Sequence, residues 1–268
     1  MHLMTVVNYR DNKSTFDLIK SFSEANLIDF VLLVVDNSPV DEDLANFISR
    51  LSDSSVVYHK NKDNLGYFPG AFTAIQNLSE HYDSYIVGNT DLLIVDLTHY
   101  QNIISRADSR NDIGVIAPYI ESHATGNNQN PFLIVRPSRL RYFLWVCIFS
   151  NRFITGLVLG ALKARKVFKK KKELHYKDWR KIYASQGSLF IFTKKFIDSG
   201  YDGTKLPMLY AEEISVAEHC LMHDLDIVIN NQIKFIHKEH QTTGAGLSKF
   251  KYDRQREGQA FILREYYS

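Results

Sequence analysis

The chain has 268 residues, of which 45% are hydrophobic, 13% aromatic and 23% charged, a globular composition far from the disordered and collagen-like classes. Thirty-two Lys and Arg stand against 30 Asp and Glu, so the net charge of +2 gives no whole-chain sign of a nucleic-acid binder. Two cysteines, Cys147 and Cys220, exclude a disulfide framework or a Cys-rich zinc site, and a reducing, cytosolic compartment is the expectation.

Residues 1–7 are apolar but lack the basic start of an export signal, and they run straight into Asn8, Tyr9, Arg10 and Asp11. Segments 3–8, 30–36, 56–60, 84–88 and 113–120 are short runs rich in Val, Ile and Tyr. Segment 30–36, FVLLVVD, is almost wholly apolar, as in a strand buried on both faces of a parallel sheet. Helical stretches lie between these runs. One carries Phe68, Phe72 and Ile75 at i, i+4 and i+7, with Pro69 suited to a first turn. The alternation predicts an α/β fold with a mostly parallel central sheet flanked by helices. Ligands in such sheets sit beyond the carboxyl ends of the strands. Those ends carry Asn8-Tyr9-Arg10, Asp36-Asn37-Ser38 and Asn89-Thr90-Asp91, each of which by itself is also a turn signal.

Residues 136–181 break the pattern. They hold fourteen Lys and Arg against Glu173 and Asp178, a net +12, while the rest of the chain, with 18 bases and 28 acids, carries −10. Leu140, Phe143, Leu144, Cys147 and Ile148 follow helical spacing beside Tyr142 and Trp145, and a polybasic run including residues 169–172 follows. An apolar helix with aromatic anchors beside such a run reads as an interfacial membrane element. Each cation near an anionic surface contributes about 1 kcal/mol. A helical hairpin packed on the sheet with a solvated basic end is the other reading. A membrane span over 142–162 is disfavoured, because Arg152 sits at its centre at a cost of roughly 2.5–3.5 kcal/mol. Aromatic and basic residues are segregated rather than interleaved, which argues against nucleic acid.

Strand character resumes at 182–193, with a small-residue kink at Gly187-Ser188. The acidic pair Glu212-Glu213 then opens a helix with Ile214, Ala217 and Leu221 on one face. A last strand over 226–236 precedes His237 and His240, and the polar stretch 252–268 reads as a loosely docked helix. Gly244-Ala245-Gly246 lacks the third glycine of a dinucleotide fingerprint.

Taken in order, these pieces resemble the family 2 glycosyltransferases of GT-A (Rossmann-like) fold, especially the bacterial rhamnosyltransferase-like enzymes of surface-polysaccharide assembly. The resemblance rests on Val6-Val7-Asn8-Tyr9, Val35-Asp36-Asn37-Ser38, Asn61-Lys62-Asp63-Asn64-Leu65-Gly66 and Gly88-Asn89-Thr90-Asp91. Gly187-Ser188-Leu189-Phe190, Tyr210-Ala211-Glu212-Glu213 and the His cluster complete it, over roughly two-thirds of the chain.

The resemblance implies inverting transfer of a sugar from a nucleotide-diphosphate donor to a hydroxyl of a glycan acceptor. It assigns Asn8, Tyr9, Asp36, Asn37, Asp63, Asn64, Gly66, Asn89 and Gly187 to the nucleotide sugar. Asn89-Thr90-Asp91 matches the DxD motif, with Asn in place of the first Asp; Asp91, with His240, would hold Mg²⁺ or Mn²⁺ on the diphosphate. Glu213 is implied as general base and Glu212 as its orienting neighbour. Acids in a first helical turn are also stabilised by the helix dipole, by about 0.3–1 kcal/mol, with no catalytic role.

The expected division is 1–135 for the nucleotide-sugar half, 136–181 for the basic insert and 182–268 for the acceptor half. The insert points to an anionic membrane surface and a lipid-linked acceptor at the inner face of the cell membrane, with homo-oligomerisation left open. A sugar nucleotidyltransferase and a non-catalytic glycan-binding tether remain alternatives.

Overall fold

The computed structural model describes residues 1–39, 42–51, 53–168, 176–238 and 248–267. The early apolar runs form β1 (His2–Asn8), β2 (Phe30–Asp36), β3 (Val56–Lys60) and β4 (Ser84–Asn89), with α1 (Asn12–Glu24), α2 (Glu42–Ser49) and α3 (Tyr67–Gln76) between them. These strands pair in parallel in the order β3-β2-β1-β4. Alternate residues of β2 feed two cores. Leu33 and Val35 join Phe68 and Phe72 of α3 on one side, and Leu32 and Val34 join Leu18 and Ile19 of α1 and Leu44 of α2 on the other. Burial of both faces explains the unbroken apolar run. Helix α1 starts where the Asp11 carboxylate accepts the N–H of Ser14, a cap that satisfies one of the orphan donors of its first turn.

The second half adds β5 (Leu92–Asp96), α4 (Tyr100–Ser109), β6 (Ile113–Ser122), α5 (Arg139–Phe149), α6 (Arg152–Phe168), β7 (Lys181–Ile182) and β8 (Leu189–Thr193). It ends with α7 (Lys194–Asp198), α8 (Glu212–Met222), β9 (Asp226–His237) and α9 (Lys249–Tyr266). The sheet continues β4-β8-β6-β9-β5, with β7 also on β9. Here β6 and β9 are parallel, while β8 is antiparallel to both its neighbours and β5 and β7 are antiparallel to β9. The α/β class with a helix-flanked central sheet therefore stands, and its parallel portion is concentrated in β3-β2-β1-β4. Strand β5 has no counterpart in the sequence reading: it follows β4 by two residues yet pairs at the far edge of the sheet. The run 182–193 is two strands, because Ala184 bridges to Leu133 and the chain turns before Leu189. In α8, Ile214, Ala217 and Cys220 are buried, while Leu221 is exposed.

The insert is helical, as expected, and breaks at Ser150-Asn151 into α5 and α6. Tyr142 of α5 stacks on Tyr267 with ring centroids 4.7 Å apart. Helix α9 begins at Lys249, earlier than expected, and is firmly seated, with Tyr252, Ile262 and Tyr267 buried. Among the described residues no helix is long and apolar enough to cross a membrane. Residues 169–172 and the glycines at 244 and 246 lie outside the described residues.

Candidate active site

The register of the parallel strands aligns their polar ends. Asn8 pairs with Asp36, Asp36 with Lys60, and Val7 with Asn89, so the carboxyl ends of four strands meet along one edge. Beyond this edge opens a cleft of about 630 Å³. Of the residues singled out in the sequence, Tyr9, Asn37, Asn64, Gly66, Asn89, Asp91, Gly187, Glu212 and Glu213 line it.

Asn8 and Asp36 lie beneath the lining. The Asn8 amide donates to Asn12, Asp36 and Ser38, and its carbonyl accepts from Asp11 and Thr15. Asp36 accepts from Asn8 and the Ser38 N–H at Oδ1, and from Tyr58 and Lys60 at Oδ2. Burial pushes its carboxyl up, but the hydrogen bonds from Ser38, Lys60 and Tyr58 outweigh this and hold it below its ordinary value. The four acceptor positions of the carboxylate are thus filled from within the chain. Asp63 is exposed and outside the cleft lining, and His240 lies outside the described residues.

The floor is braced through Asn37, which donates to the Gly66 carbonyl at 2.7 Å and accepts from Asn61 at 2.8 Å. Gly66 caps α3 at φ 90°, and a Cβ there would come within 2.3 Å of the Met208 carbonyl. Only glycine combines that dihedral with that approach.

One wall is acidic. Glu212 and Glu213 are the first two residues of α8, where unpaired backbone N–H groups favour negative charge. The Glu212 carboxylate accepts the N–H of Ala211. Burial, followed by the neighbouring Glu213 charge, nevertheless holds its carboxyl well above the usual range. Glu213 is also raised by burial, partly offset by backbone hydrogen bonds that include the Gly187 N–H. Gly187 is needed for that approach, since a Cβ on it would meet Glu213 Oε1 at 2.4 Å. Burial thus disfavours the charged form of both carboxyls, Glu212 the more strongly through the charge of its neighbour.

The other wall joins strands far apart in sequence. Leu92 of β5 pairs with His237 of β9, and Lys238 N–H donates to the Asp91 carbonyl at 2.8 Å. This register brings His237 Nε2 to 3.2 Å from Asp91 Oδ1. The two are close, but not in hydrogen-bonding geometry, and among the described residues Asp91 Oδ1 is buried without a hydrogen-bond partner. His237 Nδ1 is 2.9 Å from Gln129 Oε1. With Nδ1 donating to the Gln129 carbonyl, a ring without a second proton would turn its Nε2 lone pair toward the carboxylate. An orphaned carboxylate oxygen beside an imidazole lone pair fits a divalent cation, which both groups can ligate. Among the described residues there is no cluster of three or more such protein ligands, so remaining positions would fall to water or a bound anion.

The cleft also takes in Gln129, Gln186, Met208 and Phe250, which sequence reasoning did not single out. They have no local motif. Gln129 arrives through its N–H bond to the Ile120 carbonyl, and Gln186 through its N–H bond to Asn130. His237 was noted beside His240, and what distinguishes it is the β5–β9 register alone.

Comparison with family models and with curated proteins gives no match. Solved structures do align. GalNAc-T7, determined with UDP, GalNAc and Mn²⁺, superposes with a TM-score of 0.67 at 11% identity, covering 98% of this chain and 48% of its own. S. aureus TarS 1–349 with UDP-GlcNAc gives 0.57 at 12%, covering 98% and 66%. The mannosyltransferase PcManGT from Pyrobaculum calidifontis, with GDP-Man and Mn²⁺, gives 0.55 at 10%, covering 99% and 70%. This chain spans about half the length of GalNAc-T7. At such identities the likeness carries the architecture, and that architecture is the GT-A fold of glycosyltransferases.

Proposed function

We propose that the chain is an inverting glycosyltransferase of the family 2 type, moving a sugar from a nucleotide-diphosphate donor to a hydroxyl of a glycan acceptor. The observation that carries this reading is a single cleft with His237 beside the unbonded Asp91 Oδ1 on one wall and the buried Glu212–Glu213 pair on the other. The neighbouring structures support it, since they were determined with UDP and GalNAc, with UDP-GlcNAc and with GDP-Man.

In this reading Glu213 accepts the proton of the acceptor hydroxyl as its oxygen attacks the anomeric carbon. The bond from that carbon to the diphosphate oxygen breaks, and its electron pair leaves with the nucleoside diphosphate. The transition state is oxocarbenium-like, as in glycoside hydrolysis. Glu212, the less exposed of the pair, stands beside Glu213 as its orienting neighbour. The Gly187 N–H holds Glu213 in place. Asp91 and His237 would hold Mg²⁺ or Mn²⁺, whose contribution is to neutralise charge on the leaving diphosphate. Tyr9, Asn37, Asn64 and Asn89 supply polar contacts for the donor from the strand ends.

A lipid-linked acceptor in cell-surface polysaccharide assembly, at the inner face of the cell membrane, belongs to the same proposal and is supported by the +12 charge of residues 136–181. The test is a panel of UDP-, dTDP- and GDP-sugars with Mn²⁺, read by thermal shift and by donor turnover. Asp91→Ala should lose metal-dependent donor binding, while Glu213→Gln should keep binding and lose turnover. Equal turnover in all three proteins would overturn the assignment.

A further inference from the structure

Helix α5 is apolar on two sides, and only one has a partner among the described residues. Tyr142 and Phe149 are buried, and Tyr142 stacks on Tyr267 at the C-terminal end of α9. On the other side Leu140 is 69% exposed, and Phe143 and Leu144 are exposed as well. Helix α6 repeats this with Phe153 at 74% and Leu157 at 60% exposure. A shallow trough lined by Arg139, Leu140, Phe143, Leu263 and Tyr267 extends the apolar surface onto α9. Clustered large apolar side chains of this kind mark an interaction surface rather than ordinary scatter.

Charge narrows the partner. Residues 138–161 contain Arg139, Arg141 and Arg152 and no acid, and residues 163–172 add seven Lys and Arg in the sequence. Arg139 and Arg141 stand in the first turn of α5, and Arg152 opens α6. Cations at helix N-termini oppose the helix dipole, so helix stability does not account for their placement. A second copy seated on this face would set like charges against each other. A nucleic acid would leave the apolar stripe in water.

We propose that the α5–α6 hairpin docks on an anionic lipid bilayer, with its apolar stripe in the boundary between headgroups and acyl chains and its arginines on the lipid phosphates. The hairpin lies on the surface and does not span it, since α5 has 11 residues and α6 has 17. Arg136, just before α5, forms a two-pronged bond at 2.8 Å with Glu218 of α8, the helix that opens with Glu212 and Glu213. Docking would therefore hold the cleft beside the bilayer. That consequence rests on the glycosyl-transfer reading; the binding itself does not.

The test is co-sedimentation of the full chain with vesicles of phosphatidylcholine alone or mixed with phosphatidylglycerol, at low and high salt. The wild-type chain should bind the mixed vesicles about tenfold or more tightly than the neutral ones, and lose the difference at high salt. The double variant F143D/L157D should lose about tenfold or more in partition while keeping its melting temperature and its Mn²⁺-dependent donor binding. The triple variant R139E/R141E/R152E should lose the preference for anionic vesicles. Unchanged partition of F143D/L157D, absence of wild-type binding to mixed vesicles, or a solution dimer that F143D/L157D dissolves would each overturn the proposal. Donor binding is read separately, so failure of the catalytic reading leaves the vesicle result interpretable.

Discussion

His237 Nε2 approaches Asp91 Oδ1 to 3.2 Å without forming a hydrogen bond, while its other ring nitrogen is held by Gln129 at 2.9 Å. Gln129 thus stands behind the candidate metal ligand and fixes its tautomer. Outer partners of ligating histidines typically change metal affinity 10–100-fold when removed. Gln129→Ala should accordingly raise the Mn²⁺ concentration needed for half-maximal thermal stabilisation by about that factor, with the apo melting temperature little changed. A Mn²⁺ response identical to wild type would show that His237 is not a ligand.

The Glu212–Glu213 pair predicts a stability cost that grows with pH. Burial raises both carboxyls in the folded chain, whereas an unfolded Glu titrates near its ordinary value of about 4.3. Between those values the folded state binds more protons than the unfolded state, so stability falls as pH rises through the window. Glu212→Gln removes the Glu212 share of this dependence while keeping an oxygen to accept the Ala211 N–H. The variant should be more stable than wild type at pH 8, by on the order of 1–3 kcal/mol, and similar to it at pH 4. Urea unfolding at the two pH values measures the difference. Equal gaps at both would refute the raised ionisation.

At Gly187 a Cβ would sit 2.4 Å from Glu213 Oε1, so Gly187→Ala must displace the carboxylate. Misplacement of a reacting group by about 1 Å can lower turnover about 10²-fold. The expected outcome is a fall of that size in kcat with donor affinity retained. A variant with wild-type kcat would remove Glu213 from the reaction.

How legible the fold was depended on sequence separation. Strands β1 to β4 were readable because a parallel strand buried on both faces writes itself as an apolar run ending in polar residues, as FVLLVVD does. Strand β5 was missed because LLIVD, coming straight after Asn89-Thr90-Asp91, carries no sign of a partner 145 positions away. The same pairing decides which histidine meets Asp91, so His237 could be noted but not chosen. The acidic pair and Gly187 were found through the resemblance, yet nothing local announced that a glycine Cα would lie against Glu213. The resemblance gives Asp36, at the end of a strand, to the nucleotide sugar. That Tyr58 and Lys60 fill its lone pairs was not legible, because both belong to the neighbouring strand.

That same arrangement makes Asp36 a stability residue with its own pH signature. Its carboxylate, 1% exposed, is held below the ordinary value by the bonds from Ser38, Lys60 and Tyr58. A depressed folded-state pKa contributes stability that is complete above the unfolded value, near 3.9, and is lost as pH falls through the folded value. Asp36→Asn cannot accept at both positions and loses the bond from Lys60 or from Tyr58. At neutral pH it should lose about 1–3 kcal/mol in urea unfolding of the protein without nucleotide. Below about pH 4 the wild type should lose stability more steeply than the variant, so the gap between them closes. A gap that stays constant from pH 7 down to strongly acid conditions would mean that Asp36 is not ionised in this network, and that its hydrogen bonds act through shape alone.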